Sequence, residues 1–495
     1  MPARPNVLLI TADQMRCDAL ACNGNPFVAT PNLDALAARG VTFTNAFSPN
    51  PICIPGRAAL TTGNYPHVCT GTKNNGGRIR DDQVKIASHF GSAGYRTYAI
   101  GKLHYHPYSP PDQPRLVHGF DLWEACESGR MIAQFDPTGQ QRGIEDYFDY
   151  LRDVGWGGYS RAHAAGNNDV HPATSPLPAA HHEEAWVATR SIANLQQHFA
   201  GRAKQPFFLW ASFAKPHSPY DPPEPYNRRY DPRSLPLPVG SRELLADRDP
   251  YLRTMPITYG WDKMSPEAIQ VARAHYYGLV TFQDEMIGRL LSYLDEVGRL
   301  DDTIVVYTAD HGDLLGDFGC FFKSNMLQGS VGVPMIWAGP GIRPHEGPCE
   351  ELVGLQDVLP TLAELSECPL PQWVHGVSLA ATLGKRSAPT RDFYVSQCLD
   401  SPRQRYMIRT RQYKYVYHEL GGIEELYDVL EDPAELQNLA REKRVVVEEL
   451  RGLLIDWCRE FGDEAIFDGG DLKVSPEDAA TATEFSARHM GWRWY

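Results

Sequence analysis

Three uninterrupted apolar runs predict an α/β protein built on a mostly parallel sheet: Val7-Leu8-Leu9-Ile10, Phe207-Phe208-Leu209-Trp210 and Ile304-Val305-Val306-Tyr307. Each is short and lacks polar alternation, the pattern of a strand covered on both faces. Helix-patterned stretches follow the first two, and the longest runs from Ser265-Pro266-Glu267 with an apolar stripe through Ile269, Ala272, Tyr276, Leu279, Ile287, Leu290 and Leu294. The predicted architecture is a large mixed, mostly parallel sheet sandwiched by helices over residues 1–385. From about Ser387 the texture changes to short strands near 393–395, 406–409 and 413–417. A C-terminal α+β subdomain, 386–495, is therefore expected to hold an antiparallel sheet, one helix over Arg441–Trp457 and an aromatic tail, Gly491-Trp492-Arg493-Trp494-Tyr495. Exposed aromatics at a terminus suggest a subunit contact, hence a homo-oligomer.

Composition narrows the partners. A chain of 495 residues with 42% hydrophobic and 22% charged residues has material for a large core divided between two domains. A net charge of −14 argues against nucleic acid or an anionic membrane surface as partner. An enzyme for anions built on such a chain needs a local cluster of cations or a metal. The run Val7–Ile10 is too short for a signal peptide, and no stretch has transmembrane length. The ten cysteines show neither Cys-x-x-Cys pairs nor Cys/His zinc spacing, as expected of reduced thiols in a cytoplasmic protein.

Chemistry-bearing residues fall at the ends of the predicted strands. Asp13 and Gln14 follow the first strand, where open α/β sheets gather their ligands. Thr30 to Gly40 has the punctuation of a helix: a Thr cap, Pro31 in the first turn and a closing glycine. Pro49 to Gly63 places Cys53 at the start of a short helix, with Pro55 in its first turn and Gly63 just past its end. A helix N-terminus favours an anion. Tyr95–Ile100 is a further strand; beyond it Lys102 and His104, two apart on an extended segment, face the same side. The Gly- and Pro-rich region 107–182 lacks periodicity and is expected to be loops over the active face. His217 follows the strand at 206–213, and the proline-rich stretch 222–264 is expected to rim the pocket. Asp310 and His311 follow the strand at 303–308, Lys323 comes next, and residues 333–337 form another strand before a helix at 356–365.

Cys53-Ile54-Pro55-Gly56-Arg57 with Ala59-Leu60-Thr61-Thr62-Gly63 resembles the signature of type I sulfatases of the alkaline-phosphatase-like superfamily. Tyrosine-phosphatase chemistry is excluded, because Cys-x5-Arg would need arginine where Ala59 stands. Gly101-Lys102-Leu103-His104, Pro216-His217-Ser218-Pro219, Thr308-Ala309-Asp310-His311-Gly312 and Glu425-Leu426-Tyr427-Asp428 extend the resemblance over nearly the whole chain. It implies that Cys53 is oxidised to formylglycine by a formylglycine-generating enzyme. It also implies one divalent metal held by Asp13, Gln14, Cys53, Asp310 and His311. Ca²⁺ is the first choice for a mostly oxygen donor set, with Mg²⁺ and Mn²⁺ compatible. By the same resemblance Arg57 fixes the nucleophile, Lys102 and Lys323 clamp the sulfate, His104 is the base and His217 the acid. The two histidine roles are interchangeable at this stage. Two departures stand out: Gly56 where Ser or Ala is usual, and Gln14 where Asp is common. The implied activity is hydrolysis of small organic sulfate monoesters. The alternatives are a phosphonate monoester or phosphodiester hydrolase of the same superfamily, and a non-catalytic binding protein that kept the fold.

Overall fold

The computed structural model describes residues 4–201, 205–384 and 391–477. The aromatic tail and the expected 385/386 boundary lie outside the described residues. Strands β1 (Asn6–Asp13), β2 (Gly40–Phe43), β3 (Arg96–Gly101), β4 (Leu122–Ala125), β5 (Phe207–Pro216), β6 (Thr303–Ala309) and β7 (Met335–Ala338) form one sheet. Their order is β2-β7-β6-β1-β5-β3-β4. Central β1 pairs in parallel with β5 (Val7 opposite Phe208) and β6 (Val7 opposite Ile304). Only β7 runs against its neighbours. The three apolar runs are the three central strands, buried throughout apart from the first residue of β1.

Helices α1 (Pro31–Ala38), α2 (Cys53–Thr62), α3 (Glu183–Ala200), α4 (Pro266–Glu296) and α5 (Val358–Leu365) cover the sheet. Helix α4 starts where the sequence expects: Ser265 Oγ accepts from the Ala268 N–H at 3.2 Å, satisfying a donor that the first turn leaves free. Gly63 ends α2 in the left-handed region, φ 70°, also as expected.

Three local expectations fail for tertiary reasons. Gly40 does not close α1; it opens β2, where a Cβ would lie 1.8 Å from the Trp337 carbonyl oxygen, so close strand approach selects the glycine. Thr30 makes no side-chain cap; its hydroxyl accepts from the Ala21 N–H instead. The region 107–182 is not all loop. It contributes β4 at the sheet edge and two helices, Arg130–Phe135 and Asp146–Asp153, elements short enough for neighbouring glycines and prolines to hide their periodicity.

The C-terminal subdomain is a four-stranded antiparallel sheet of β8 (Tyr394–Cys398), β9 (Arg405–Arg409), β10 (Tyr413–His418) and β11 (Ile423–Asp428). Helix α6 (Arg444–Glu460) buries Val447, Leu450, Leu454 and Trp457 against Tyr406, Ile408, Tyr415 and Leu426. Strand β8 supports the approach to α2: Gln397 N donates to Pro49 O (2.9 Å) and Ser396 Oγ to Ser48 O (2.9 Å). All ten cysteines are unpaired. Among the described residues no helix is long and apolar enough to cross a membrane.

Gly101 ends β3 with φ 102°, and a Cβ there would meet the Ser212 carbonyl oxygen at 2.0 Å. Gly101→Ala is expected to cost about 1–3 kcal/mol through overpacking and a left-handed alanine, read as a lower urea midpoint at unchanged m-value.

Candidate active site

The carboxyl ends of β1, β3, β5 and β6 converge on the N-terminus of α2. Arg57, one turn into α2, is fully buried and spends its guanidinium on three strand ends. Its Nε donates to Asp310 Oδ2 at 2.7 Å and its Nη2 to Asp13 Oδ2 at 3.1 Å. Its Nη1 donates to Lys102 O at 2.7 Å and Ser212 Oγ at 3.0 Å. A buried cation so fully paired is structural as well as chemical, because removing one partner leaves uncompensated buried charge.

Asp13, Cys53, Asp310 and His311 form a buried group whose donor atoms lie within 4.8 Å of one another. Cys53 Sγ is 3.1 Å from His311 Nε2. His311 Nδ1 sits 2.9 Å from the Gly312 carbonyl oxygen, which only accepts, so Nδ1 carries a proton and Nε2 is the ring nitrogen turned inward. Asp13 Oδ1 is buried without a hydrogen-bond partner, while Oδ2 takes Arg57 and the Lys102 ammonium. An orphaned carboxylate oxygen beside a second carboxylate and an inward-turned imidazole nitrogen is the donor set of a divalent cation. The residues present fit one.

Gln14 is held at φ 65° with its N–H on Asp310 Oδ1 at 3.1 Å. Its Nε2 donates to Asp313 Oδ2 and its Oε1 accepts from Lys323 Nζ, both at 2.5 Å. This explains the departure noted in the sequence. An aspartate at position 14 would set a third carboxylate against Asp313, whereas the amide supplies a donor to it. Gly56 has a comparable cause: a Cβ there would stand 2.8 Å from Asp310 O and 3.0 Å from Asn50 O.

Lys102 and His104 both reach the site, though not by strand alternation. The strand stops at Gly101, and His104 takes φ 54° because Glu127 Oε1 accepts the N–H groups of both Leu103 and His104 at 2.8 Å. Burial, reinforced by Lys102 and Arg130, holds the His104 imidazole well below its ordinary range, and its Nδ1 has no partner. His217 is likewise pushed well down, by burial and then by Lys323. Its Nδ1 lies 2.8 Å from Ser218 O and its Nε2 3.1 Å from Lys323 Nζ. Alone it is therefore a neutral acceptor rather than an acid; the Lys323–His217 pair is the unit that holds a transferable proton.

Burial pushes the Cys53 thiol up and Asp13 adds to this. Lys323, His311 and Lys102 outweigh both and bring it to about 7. For Asp13 burial is again the largest influence, upward. The cations led by Lys102 overcome it and hold the carboxyl well below its usual range. Four supporting residues carry no signal in the sequence pattern. Asp313 and Tyr220 brace Gln14 (Tyr220 Oη to Asp313 Oδ2, 2.6 Å), Glu127 shapes the His104 turn, and Arg130 adds a cation.

The family model described as Sulfatase matches residues 5–367, and that for the C-terminal region of N-sulphoglucosamine sulphohydrolase matches residues 316–457. An arylsulfatase of Clostridium perfringens is 32% identical over 487 residues, covering 95% of this chain and 97% of its own. A choline-sulfatase of Rhizobium meliloti is 30% identical over 90% of this chain and 84% of its own. Among solved structures, the phosphonate monoester hydrolase of Agrobacterium radiobacter superposes with a TM-score of 0.77 at 26% identity, covering 92% of this chain and 96% of that one.

Asp13→Asn removes the charge of the orphaned oxygen and is expected to take bound divalent metal from about one equivalent to near none, measured by elemental analysis after dialysis. With the sequence motifs gathered at one buried site and a matching family model over most of its length, the chain belongs to the sulfatase family.

Proposed function

We propose that the protein hydrolyses sulfate monoesters, R–O–SO₃⁻ and water giving ROH and sulfate, with residue 53 as nucleophile. The observation that carries this is the placement of Cys53 at a helix N-terminus inside the Asp13–Asp310–His311 group. The Sγ atom marks where a nucleophilic oxygen would sit after maturation. Oxidised to formylglycine and hydrated, residue 53 supplies two hydroxyls on one carbon, one to attack sulfur and one to expel sulfate as the aldehyde re-forms. A divalent cation held by Asp13, Asp310, His311 and the remaining lone pair of Gln14 Oε1 would lower the pKa of the attacking hydroxyl and offset charge on the sulfuryl oxygens.

The chain's own residues supply the rest. Lys323, free of any carboxylate partner among the described residues, and Lys102 bind the sulfuryl oxygens. The Lys323–His217 pair protonates the leaving oxygen. His104, neutral and with a free Nδ1, takes the proton of the second hydroxyl when sulfate departs. Arg57 keeps the two carboxylates and α2 in register. Ca²⁺ is our choice of ion, on the carboxylate-rich donor set, and a formylglycine-generating enzyme our choice of maturing partner. Ten unpaired thiols support a reducing, cytoplasmic setting.

Phosphonate monoester hydrolysis is the second reading, favoured by the likeness to the Agrobacterium radiobacter enzyme. Aryl sulfate and aryl phosphonate assayed side by side separate the two. A higher kcat/KM on the sulfate supports our reading, and a higher value on the phosphonate reverses it. Cys53→Ala is expected to lower kcat by about 10⁴-fold or more, since it removes the nucleophile; unchanged turnover contradicts the mechanism.

The pH profile has a definite sign. Because the His104 pKa is depressed, its base form survives as pH falls through 6.5. The acid limb of kcat is expected below that value, and a limb at or above 6.5 would remove His104 as the base.

A further inference from the structure

Charge around residue 53 exceeds what one sulfate monoester requires. Asp13 and Asp310 face four cations: Arg57, Lys102, Lys323 and Arg130. Arg57 and Lys102 are engaged by the two carboxylates, and Lys323 is held by the neutral Gln14 and His217. Arg130 remains. Its Nη1 donates to the Glu127 backbone carbonyl at 3.0 Å, and no carboxylate among the described residues stands at ion-pair distance from it. In a chain of net charge −14 Asp13 and Glu127 act on this half-buried guanidinium only from beyond ion-pair distance.

Its position is fixed by backbone rather than by chance. Parallel pairing of Gly101 with Ala125 carries residues 102–104 and 126–130 out of the sheet side by side. The Glu127 carboxylate grips the Leu103 and His104 N–H groups. The Glu145 carboxylate holds the N–H groups of Glu127 at 2.8 Å, Gly129 at 3.2 Å and Met131 at 3.0 Å. Arg130 opens a short helix on that clamped loop, three residues beyond the Glu127 that grips the His104 N–H. Its charge is felt at Lys102, which burial first and Arg130 second push down, and also at His104 and His217.

We propose that Arg130 is a specificity-determining residue that receives a second oxyanion on the organic part of the substrate, making sulfate esters that carry a carboxylate or a further sulfate the preferred class. The proposal rests on the sulfate-ester reading above. Lys102 and Lys323 already serve the reacting sulfate, whereas the planar fork of Arg130 matches a planar carboxylate through two parallel hydrogen bonds. A charge-assisted contact of this kind is strong enough to set a preference, and because it is made to the organic part rather than to the sulfuryl group it acts mainly through KM.

The test compares 4-carboxyphenyl sulfate with its neutral isostere 4-carbamoylphenyl sulfate, and 1,4-phenylene disulfate as the sulfate arm, in the wild type, Arg130→Gln and Arg130→Lys. The ratio of kcat/KM for the charged over the neutral ester is expected to fall about tenfold or more in Arg130→Gln, mostly through KM. Arg130→Lys should recover part of it. The arm that loses more identifies carboxylate or sulfate as the group received. Equal losses on charged and neutral esters, or no loss, overturn the proposal, and equal thermal melts check that the variants fold. Calorimetric binding of non-hydrolysable 4-sulfobenzoate against 4-sulfobenzamide separates the two layers of inference. Discrimination by the wild type that Arg130→Gln abolishes, in a protein that hydrolyses no sulfate ester, defeats the function but keeps the anion site. Hydrolysis without discrimination defeats the anion site alone.

Discussion

One buried guanidinium holds the active site together. Arg57 spans Asp13 at the end of β1 and Asp310 at the end of β6, and reaches the Lys102 carbonyl beyond β3. Two carboxylates this close repel each other strongly in a low dielectric, and water does not reach them to screen the repulsion. The bridging cation makes the pair tolerable and, in the same stroke, fixes the start of α2 against three strand ends. Everything that needs residue 53 to be placed with ångström accuracy inherits that constraint. Truncating Arg57 would leave Asp310 without its guanidinium and Asp13 with Lys102 alone, a loss of the about 3–5 kcal/mol class.

The arrangement also resolves the conflict between an acidic protein and an anionic substrate. The global charge of −14 repels sulfate, but the site concentrates buried Lys102 and Arg57 with part-buried Lys323 and Arg130. At short range in a desolvated cleft these local charges outweigh distant surface carboxylates, which solvent and salt screen. The same cations tune acidity: they bring the Cys53 thiol to about 7 despite burial, and they add to the burial that keeps His104 and His217 neutral. Acid and base roles thus follow from environment rather than from residue type. His217 is the clearest case, since it works only as a pair with Lys323.

What the sequence disclosed divides along physical lines. The central strands were legible because continuous apolar runs need no partner to be recognised, and Asp13, Cys53, Lys102, Asp310 and His311 because each lies within a few residues of a strand or helix end. Strand β4 was hidden: four residues at a sheet edge, in a stretch dense with glycine and proline, carry too little periodicity. Gly40 misled because a glycine selected by the Trp337 carbonyl is indistinguishable, in one dimension, from a helix terminator. The long-range partners were invisible for the same reason. Glu127 meets His104 and Asp313 meets Gln14 only once the sheet has brought their loops together.

The most direct test is a crystal structure of the active, matured enzyme with anomalous data chosen to locate a divalent ion. The account predicts a formylglycine hydrate at position 53, with one of its oxygens and Asp13, Asp310 and His311 all bonded to a single ion. An unmodified thiol in a fully active preparation, or a fully active enzyme with no ion among those side chains, would contradict it.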